Sequence, residues 1–262
     1  MMEDFLVGPH AVLEALRAGR RNFEKIFLAR ERPDPRISEI IALARAKGVP
    51  VKREGRDRLD VLAKPFAHQG VLALVSEVRY DDPFELAARI KAKASLPLLV
   101  LLDGVQDPQN LGAIIRTVEA AGAGGLFVSK HRTVGITPAV TRASAGALEH
   151  LPVARVPGLP AFLGWLKQQG IWVIGADPNA TQSLYDVDLR VPLALVIGGE
   201  HRGLGSLVRT RCDLLASIPM CGRLASINAA ASAAIFLFEI RRQRDRVDHS
   251  RENRLKKESV RA

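Results

Sequence analysis

Cysteine is scarce in this sequence, whose 262 residues include only Cys212 and Cys221. Two cysteines permit one bridge at most and form no CxxC pair, which excludes a disulfide framework. A reducing cytoplasm is the compartment that fits this usage best. Long apolar runs are also missing, since no apolar stretch reaches the roughly 18 residues that a membrane-spanning helix needs.

Signals for secretion and for metal binding are missing too. The acidic start, residues 1–5, lacks the basic region and the apolar segment of a secretory signal. The HExxH motif is absent and the six histidines are scattered along the chain, so we predict no metal site.

Charge of one sign is in excess: Lys and Arg number 38 against 28 Asp and Glu, which gives a formal net charge of +10. This balance favours a polyanionic partner such as nucleic acid or an acidic membrane surface, and a basic protein that is merely soluble is the alternative. Residues 247–262 form a basic tail with few apolar side chains. The tail is either a solvated helix end or an arm that contacts phosphates.

Apolar patterning divides the chain into two α/β units. In residues 1–78 short apolar runs alternate with helical spacing, and a linker at 79–96 that ends in a polar helix follows. In residues 97–246 the apolar runs are continuous, as expected of parallel strands buried on both faces. These runs are 98–102, 126–128, 171–174, 193–197 and 214–218, and an alanine-rich helix over about 227–243 comes after them.

Three segments of the second unit stand beside such runs. The first, residues 102–117, predicts a strand, a polar loop and a helix with Asn110 as its N-cap. The predicted buried face of this helix consists of Leu111, Ile114, Ile115 and Val118. Taken alone, Asn110 could serve only to cap the helix. Arg116, taken alone, could be a cation on the helix surface.

The second segment, residues 196–205, is a strand that ends in a glycine-rich loop, at the edge where open α/β sheets bind ligands. Its glycines would let the backbone approach a ligand closely. The loop is not a P-loop, because Leu204 stands in place of the lysine. The glycines at 122–125 fail the dinucleotide pattern, because Phe127 stands where glycine is needed.

The third segment, residues 218–228, is a strand that enters a loop before the last helix. Ser226 and Asn228 stand at the start of that helix, where either residue could be its cap. Cys221 has no histidine close to it in the sequence, so we interpret it as structural rather than nucleophilic.

Together these segments resemble a known family. NLGAIIRTVEAAG, VIGGEHRGLG and IPMCGRLASIN are similar, in order and spacing, to the three motifs of the SpoU/TrmH class of RNA 2′-O-ribose methyltransferases in the SPOUT superfamily. Residues 7–16 and 68–71 resemble the RlmB-type subgroup, which has an added ribosomal-protein-like RNA-binding domain and acts on a guanosine of large-subunit (23S) rRNA.

The resemblance implies a fold and a cofactor. Residues 1–78 would be the substrate RNA-binding domain, and residues 97–246 an α/β SPOUT domain with a deep trefoil knot at its carboxyl end, one of the rare exceptions to unknotted topology. Members of the family are homodimers that bind S-adenosylmethionine (SAM) in the knot. The cofactor-binding residues implied here are Gly198, Ile218, Met220 and Ile227.

By motif position, the implied catalytic residues are Asn110, Arg116, Glu200, Ser226 and Asn228. A ribose 2′-hydroxyl is a weak nucleophile that must be aligned and must lose its proton. Arginine is normally always protonated, so the role implied for Arg116 is either proton removal together with an RNA phosphate or, more conservatively, binding that phosphate and stabilising alkoxide charge. The polar residues would hold the ribose and the loops, and Glu200 would orient Arg116 or a loop.

The sequence departs from the family pattern at Ala225 and Ala230, where relatives often have glycine and serine, and at Ile227, where leucine is common. Loss of a hydroxyl at Ala230 puts any hydrogen bond there in doubt but leaves Arg116 and Asn228 in place. Three functions follow: an rRNA ribose methyltransferase, a tRNA ribose methyltransferase, or a non-catalytic RNA-binding protein. The first domain favours rRNA over tRNA.

Overall fold

The structure, a computed structural model, describes residues 3–29, 35–64 and 67–259, with side chains described from residue 4 to residue 245 within those ranges. The described chain forms two compact units. Unit 1 comprises the residues up to Tyr80 together with Asp107–Glu119 and Val134–Pro152, and unit 2 comprises Asp81–Gln106, Ala120–Thr133 and the residues from Val153 onward. The expected α/β class is confirmed, whereas the boundaries at 78, 96 and 246 stay predictions.

Unit 1 opens with a four-stranded mixed sheet. Its elements are β1 (Glu3–Val7), α1 (Pro9–Ala18), β2 (Phe23–Ala29), α2 (Pro35–Ala46), β3 (Val51–Glu54), α3 (Arg56–Ala63) and β4 (Val71–Ser76). The strand order is β1-β4-β2-β3, in which β4 runs antiparallel to both neighbours and β2 runs parallel to β3. The helical spacing predicted for α1 is confirmed, because Val12, Ala15 and Leu16 are fully buried against the sheet core.

The segment at 68–71 has a structural task in this unit. The Nδ1 atom of His68 accepts a hydrogen bond from the backbone N–H of Gly70 at 2.8 Å. The ring proton must therefore sit on Nε2, which donates to the Asp60 carboxylate on α3 at 3.0 Å. His68 thus fixes the turn that leads into β4, with Gln69 and Gly70 both in the left-handed region.

The rest of the chain supplies a larger sheet and its helices. In chain order the elements are α4 (Pro83–Lys93), β5 (Leu98–Asp103), α5 (Pro108–Ala120), β6 (Gly125–Ser129), α6 (Pro138–Ala143), β7 (Val153–Val156), α7 (Leu159–Gln168), β8 (Trp172–Ala176), β9 (Gln182–Ser183), β10 (Leu193–Gly198), α8 (Ser206–Arg211), β11 (Leu214–Ser217) and α9 (Ala229–Ser259). Short 3₁₀ turns lie at Ala147–Glu149 and Leu184–Asp186.

Unit 2 is built on a seven-stranded sheet of order β7-β6-β5-β10-β8-β11-β9, in which every pair is parallel. All strands therefore end at the same edge. The prediction of strands buried on both faces is confirmed for β5 and β6, in which every residue is buried, but not for β11, in which only Ala216 is buried. The chain moves outward from β5 through β6 to β7 and then returns to the other side of β5, so the strand order reverses between β5 and β10, where open α/β sheets bind ligands.

The helix expected to be polar, α4, is amphipathic. Asp82 caps it by accepting from the N–H groups of Phe84 and Glu85. Leu86, Ala87 and Ile90 are buried in the core of unit 2. Lysines such as Lys91 and Lys93 alternate with these apolar residues, so the helix was expected to be polar from the sequence.

The last helix, α9, differs from the predicted span of 227–243. It begins at Ala229 because Asn228 caps it, and its backbone continues to Ser259. Side chains from residue 246 onward and the whole of residues 260–262 lie outside the described part, so both interpretations of the basic tail at 247–262 stay predictions. Among the described residues, no helix is long and apolar enough to cross a membrane.

A buried arginine fastens α9 to the sheet of unit 2. The Arg244 guanidinium donates to the carbonyls of Leu96 and Val191, each at 2.7 Å, and to that of Leu189 at 3.3 Å. Burial, together with the charge of Arg241, lowers the pKa of Arg244 to about 10, so the side chain stays protonated at neutral pH. These bonds give a charged donor to carbonyls in the segments that lead into β5 and β10.

Replacing Arg244 by Met should lower the free energy of unfolding by about 3 kcal/mol, because several buried carbonyls lose a charged donor. Urea denaturation followed by circular dichroism measures the change. The matched control is Arg241→Met on the same helix, whose half-exposed ion pair with Asp245 should contribute about 0.5 kcal/mol or less. Equal stability of the two variants would contradict the proposed role of Arg244.

Candidate active site

The glycine-rich loop between β10 and α8 is fixed at both ends by one residue of β5. The carbonyl oxygen of Asp103 accepts from the N–H of Gly199 at 2.9 Å, and its carboxylate Oδ2 accepts from the N–H of Gly205 at 2.7 Å. A further backbone bond, from Gly203 to Gly199 at 2.9 Å, closes the loop on itself. The carboxylate is buried, so the loop conformation depends on it.

The glycines of this loop serve the packing of the chain itself. A Cβ atom on Gly198 would lie 2.2 Å from the carbonyl carbon of Gly203, and one on Gly199 would lie 2.1 Å from the carbonyl oxygen of Gly104. The close approach that the glycines permit is thus an approach to neighbouring backbone, and the approach to a ligand inferred from the sequence stays a prediction.

The third segment forms an irregular loop from Ile218 to Asn228 between β11 and α9. Asn228 ends this loop by capping α9: its Oδ1 accepts from the N–H groups of Ala230 and Ala231 at 2.8 and 3.3 Å. The capping interpretation is therefore confirmed for Asn228. Ala230, one of the three departures from the family pattern, takes part in this cap through its backbone.

Two adjoining cavities open at the carboxyl edge of the sheet, bounded by these two loops. The larger has a volume of about 290 Å³ and the smaller about 70 Å³. Among the predicted site residues, the larger cavity is lined by Gly198, Glu200, Ser226 and Ile227, and the smaller by Ile218, Met220, Ser226 and Ile227. The structure thus brings together all four predicted cofactor residues and two of the predicted catalytic residues.

Asp177 also lines both cavities, and sequence reasoning missed it. It follows β8 directly, is buried, accepts from the N–H of Asn179 at 2.9 Å and forms an ion pair with Arg209. An acidic residue placed immediately after an apolar strand and before Pro178 was the signal that could have found it.

The first segment forms α5, with one correction. The helix begins at Pro108, and the Asp107 carboxylate caps it by accepting from the N–H of Gln109 at 3.0 Å. The prediction that Asn110 is the N-cap is therefore wrong, because the preceding Asp-Pro pair supplies both the acceptor and the fixed backbone angle of a helix start. Asn110 lies half-buried in the first turn. The predicted inner face is confirmed: it consists of Leu111, Ile114, Ile115 and Val118, all fully buried.

Gly112 explains how α5 packs within unit 1. A Cβ atom there would lie 2.2 Å from the Cβ of Ala143 on α6, so only glycine permits this contact. Arg116, on the same helix, is exposed. Asn110 and Arg116 belong to unit 1 and are not among the residues that line either cavity of unit 2, so their catalytic roles stay predictions.

Neither cysteine is among the residues that line the two cavities in unit 2. Both are free, and burial, aided by the charge of Asp213, raises the pKa of Cys212 to about 12. The Cys212 thiol donates to the carbonyl of Val208 at 3.3 Å and stays protonated. Within the described ranges, no group of three or more His, Cys, Asp or Glu side chains is placed to hold a metal ion.

Comparison with known families matches both parts of the chain. Residues 97–238 match the SpoU rRNA Methylase family, and residues 5–81 match the RNA 2′-O ribose methyltransferase substrate-binding family. The first match contains all three loop segments, and the second contains the sheet of β1 to β4.

Individual relatives agree with these matches. A Bacillus subtilis (strain 168) protein provisionally named as a TrmH-family tRNA/rRNA methyltransferase, YacO, is 38% identical over 244 residues, which cover 93% of this chain and 97% of that protein. The 23S rRNA (guanosine-2′-O-)-methyltransferase RlmB of Shewanella oneidensis (strain ATCC 700550 / JCM 31522 / CIP 106686 / LMG 19005 / NCIMB 14063 / MR-1) is 38% identical over 242 residues, covering 92% of this chain and 98% of that protein.

A solved structure extends the likeness to the fold. The SpoU methyltransferase AviRb from Streptomyces viridochromogenes, crystallised with the cofactor AdoMet, superposes with a TM-score of 0.77 at 30% identity, covering 92% of this chain and 90% of that one. The chain therefore belongs to the SpoU rRNA Methylase family and is an RNA 2′-O-ribose methyltransferase.

Proposed function

We propose that the protein transfers a methyl group from SAM to the ribose 2′-hydroxyl of a guanosine in 23S rRNA. The observation that carries this proposal is the pair of cavities between the second and third motif loops, in a chain that also matches RlmB of Shewanella oneidensis over 98% of that protein's length. The Bacillus relative's name covers tRNA as well as rRNA, so a tRNA ribose is the alternative substrate.

The cavity linings fit the chemistry of SAM. The smaller cavity is mostly apolar, with Ile218 and Phe236 in its wall, which suits a flat adenine ring. The larger cavity is lined by charges of both signs, since Arg202 and Arg209 stand beside Glu200 and Asp177, and Asp177 is paired with Arg209. Both signs suit a cofactor that has a sulfonium, an ammonium and a carboxylate group. When bound, SAM supplies an electrophilic methyl group. We assign its binding to Gly198, Ile218, Met220 and Ile227.

Catalysis in this proposal uses the residues that the motifs predict. Arg116 binds the RNA phosphate next to the target ribose and stabilises negative charge that develops on the 2′-oxygen. Asn110, Ser226 and Asn228 hold the ribose and the loops by hydrogen bonds, and the Asn228 cap shows how one of them orders the end of the third loop. Glu200 orients Arg116 or the second loop.

Three further features belong to the proposal. The carboxyl-terminal part of the chain, including α9, would form the trefoil knot of SPOUT domains, and two chains would associate as a homodimer. A 23S rRNA substrate would place the protein in the cytoplasm. Unit 1 carries the substrate-binding match at residues 5–81, and we assign RNA binding to it.

Mapping of ribose methylation tests the substrate. We expect the purified protein with SAM to add one 2′-O-methyl group to a guanosine of a 23S rRNA transcript and none to bulk tRNA. Reverse transcription at low nucleotide concentration locates the modified residue. Methylation of tRNA alone would contradict the rRNA assignment, and no methylation of either RNA would overturn the proposed function.

Calorimetry tests the cofactor site. Ile227 lines both cavities and is 37% exposed, so Ile227→Glu should weaken SAM binding by about tenfold or more, since it removes apolar contact worth roughly 1.5 kcal/mol. The matched control is Leu224→Glu in the same loop, which is 76% exposed and lines neither cavity. Equal SAM affinity in the two variants would place the cofactor elsewhere.

Kinetics test Arg116. Arg116→Ala should lower the rate of methyl transfer by about 10²- to 10³-fold, the usual cost of losing one donor to a developing oxyanion, while the SAM dissociation constant stays unchanged. Arg190→Ala removes an equally exposed guanidinium, paired with Asp188, and should leave the rate within twofold. An active Arg116→Ala enzyme would refute the assigned role.

A further inference from the structure

A third cavity opens at the same sheet edge of unit 2, at the ends of β5, β6 and β7. Its volume is about 260 Å³. One wall is polar, with Asp103, His131 and Arg132, and the other is apolar, with Leu159, Pro160 and Leu207. The cofactor cavities and the catalytic residues of the proposed reaction make no use of these side chains, except that Asp103 also holds the glycine-rich loop.

Arg132 lies in a turn that several side-chain hydrogen bonds hold. Its backbone is in the left-handed region, with φ of 67°, which a residue other than glycine rarely adopts. The Ser129 hydroxyl donates to the carbonyl of His131 at 2.8 Å and must therefore accept from Thr133. Thr133 in turn accepts from the N–H of Gly104 at 3.1 Å. This chain of bonds supports a strained position, and such positions are concentrated at binding sites.

The Arg132 guanidinium is held by a carboxylate and remains accessible to solvent. Its Nη2 donates to Asp103 at 3.4 Å, a long bond to a buried carboxylate, while the side chain is 56% exposed. Gly205 makes room for the pair, because a Cβ atom there would lie 3.1 Å from the Asp103 carboxylate. A cation fixed by a buried carboxylate at the mouth of a cavity is suited to bind a phosphate.

The apolar residues that line this cavity are not explained by the binding of an inorganic anion. Leu207 is 69% exposed although it is a large hydrophobic side chain, and it faces this cavity together with Pro160. Unpaired nucleotides offer both a phosphate and a flat apolar face, and proteins bind them by pairing cations with apolar or aromatic platforms. The combination of the two walls therefore matches a nucleotide better than it matches an inorganic anion.

This cavity and the larger cofactor cavity share one stretch of chain. Gly203 and Leu204 line the cofactor cavity, and the residues that follow at once, Gly205 to Val208, line the third cavity. A nucleotide bound here would thus lie on the other side of the same loop from the proposed methyl donor. That position suits a neighbour of the target nucleotide on the same RNA strand.

We propose that this third cavity binds an unpaired nucleotide adjacent to the methylated one, its phosphate on Arg132 and His131 and its base against Leu207 and Pro160. The proposal rests on the proposed function in that the bound strand is the RNA substrate. It assigns substrate binding to unit 2 itself, in addition to the binding expected of the substrate-binding match in residues 5–81.

Affinity for a 23S rRNA transcript tests the proposal with two independent substitutions. Arg132→Gln should weaken binding about tenfold and reduce the slope of log affinity against log salt by about 0.7, the value for one phosphate contact on a single strand. Leu207→Ser should weaken binding about fivefold with the slope unchanged, because loss of base contact releases no counterions. In both variants we expect a SAM dissociation constant within twofold of wild type, which shows that the fold is intact.

Lys93→Gln is the matched control for charge. Lys93 is exposed at the end of α4, on the side where β5 begins, whereas Asp103 and Arg132 stand where β5 and β6 end. Its RNA affinity should stay within twofold of wild type, and Arg132→Lys should restore part of the salt slope.

Each outcome decides the proposal. Wild-type affinity in both Arg132→Gln and Leu207→Ser would overturn it, and so would a loss confined to Arg132→Gln, since the cavity would then bind a phosphate alone. Failure of the wild-type protein to methylate 23S rRNA would overturn the proposed function. A loss of RNA affinity in both variants would still support the nucleotide site in that case.

Discussion

The catalytic unit depends on a single buried carboxylate at the end of a central strand. Asp103 holds both ends of the glycine-rich loop, through its carbonyl to Gly199 and its carboxylate to Gly205, and it also positions Arg132. Burying a charge is costly unless it is hydrogen-bonded and paired, and this carboxylate has both a backbone donor and a guanidinium. The glycine-rich loop, the larger cavity that it lines and the third cavity therefore share one anchor.

The loop needs its glycines because Asp103 holds both of its ends. For the loop to return from Gly199 to Gly205 over so short a span, its backbone must pass within contact distance of itself and of Gly104. Side chains at Gly198 or Gly199 would collide with backbone, which cannot move aside as a flexible side chain could. The packing of the loop therefore requires the glycines of this motif, and the larger cavity is the space that the packed loop leaves open.

Much of the fold could be predicted because it depends on the apolar pattern within single segments. Continuous apolar runs such as that of β5 have no polar face to offer water, so a parallel, doubly covered strand was the solution that the residues allowed. The predictions failed where two residues competed for one task. Asp107 and Asn110 are both good caps, and only the Pro108 that follows Asp107 decides between them. The strand β3 was missed because its residues are mostly charged and exposed at a sheet edge.

The candidate site likewise contains residues that were predicted and residues that were not. Ile218 and Ile227 were expected at one site only from the family resemblance, and both line the smaller cavity. Asp177 and Arg132 were not predicted, since each follows a different strand of the sheet and belongs to none of the three motif segments. Parallel strands bring such residues to one edge whatever their separation in sequence. This edge of the sheet therefore combines residues from separate segments around a glycine-rich loop that Asp103 fixes.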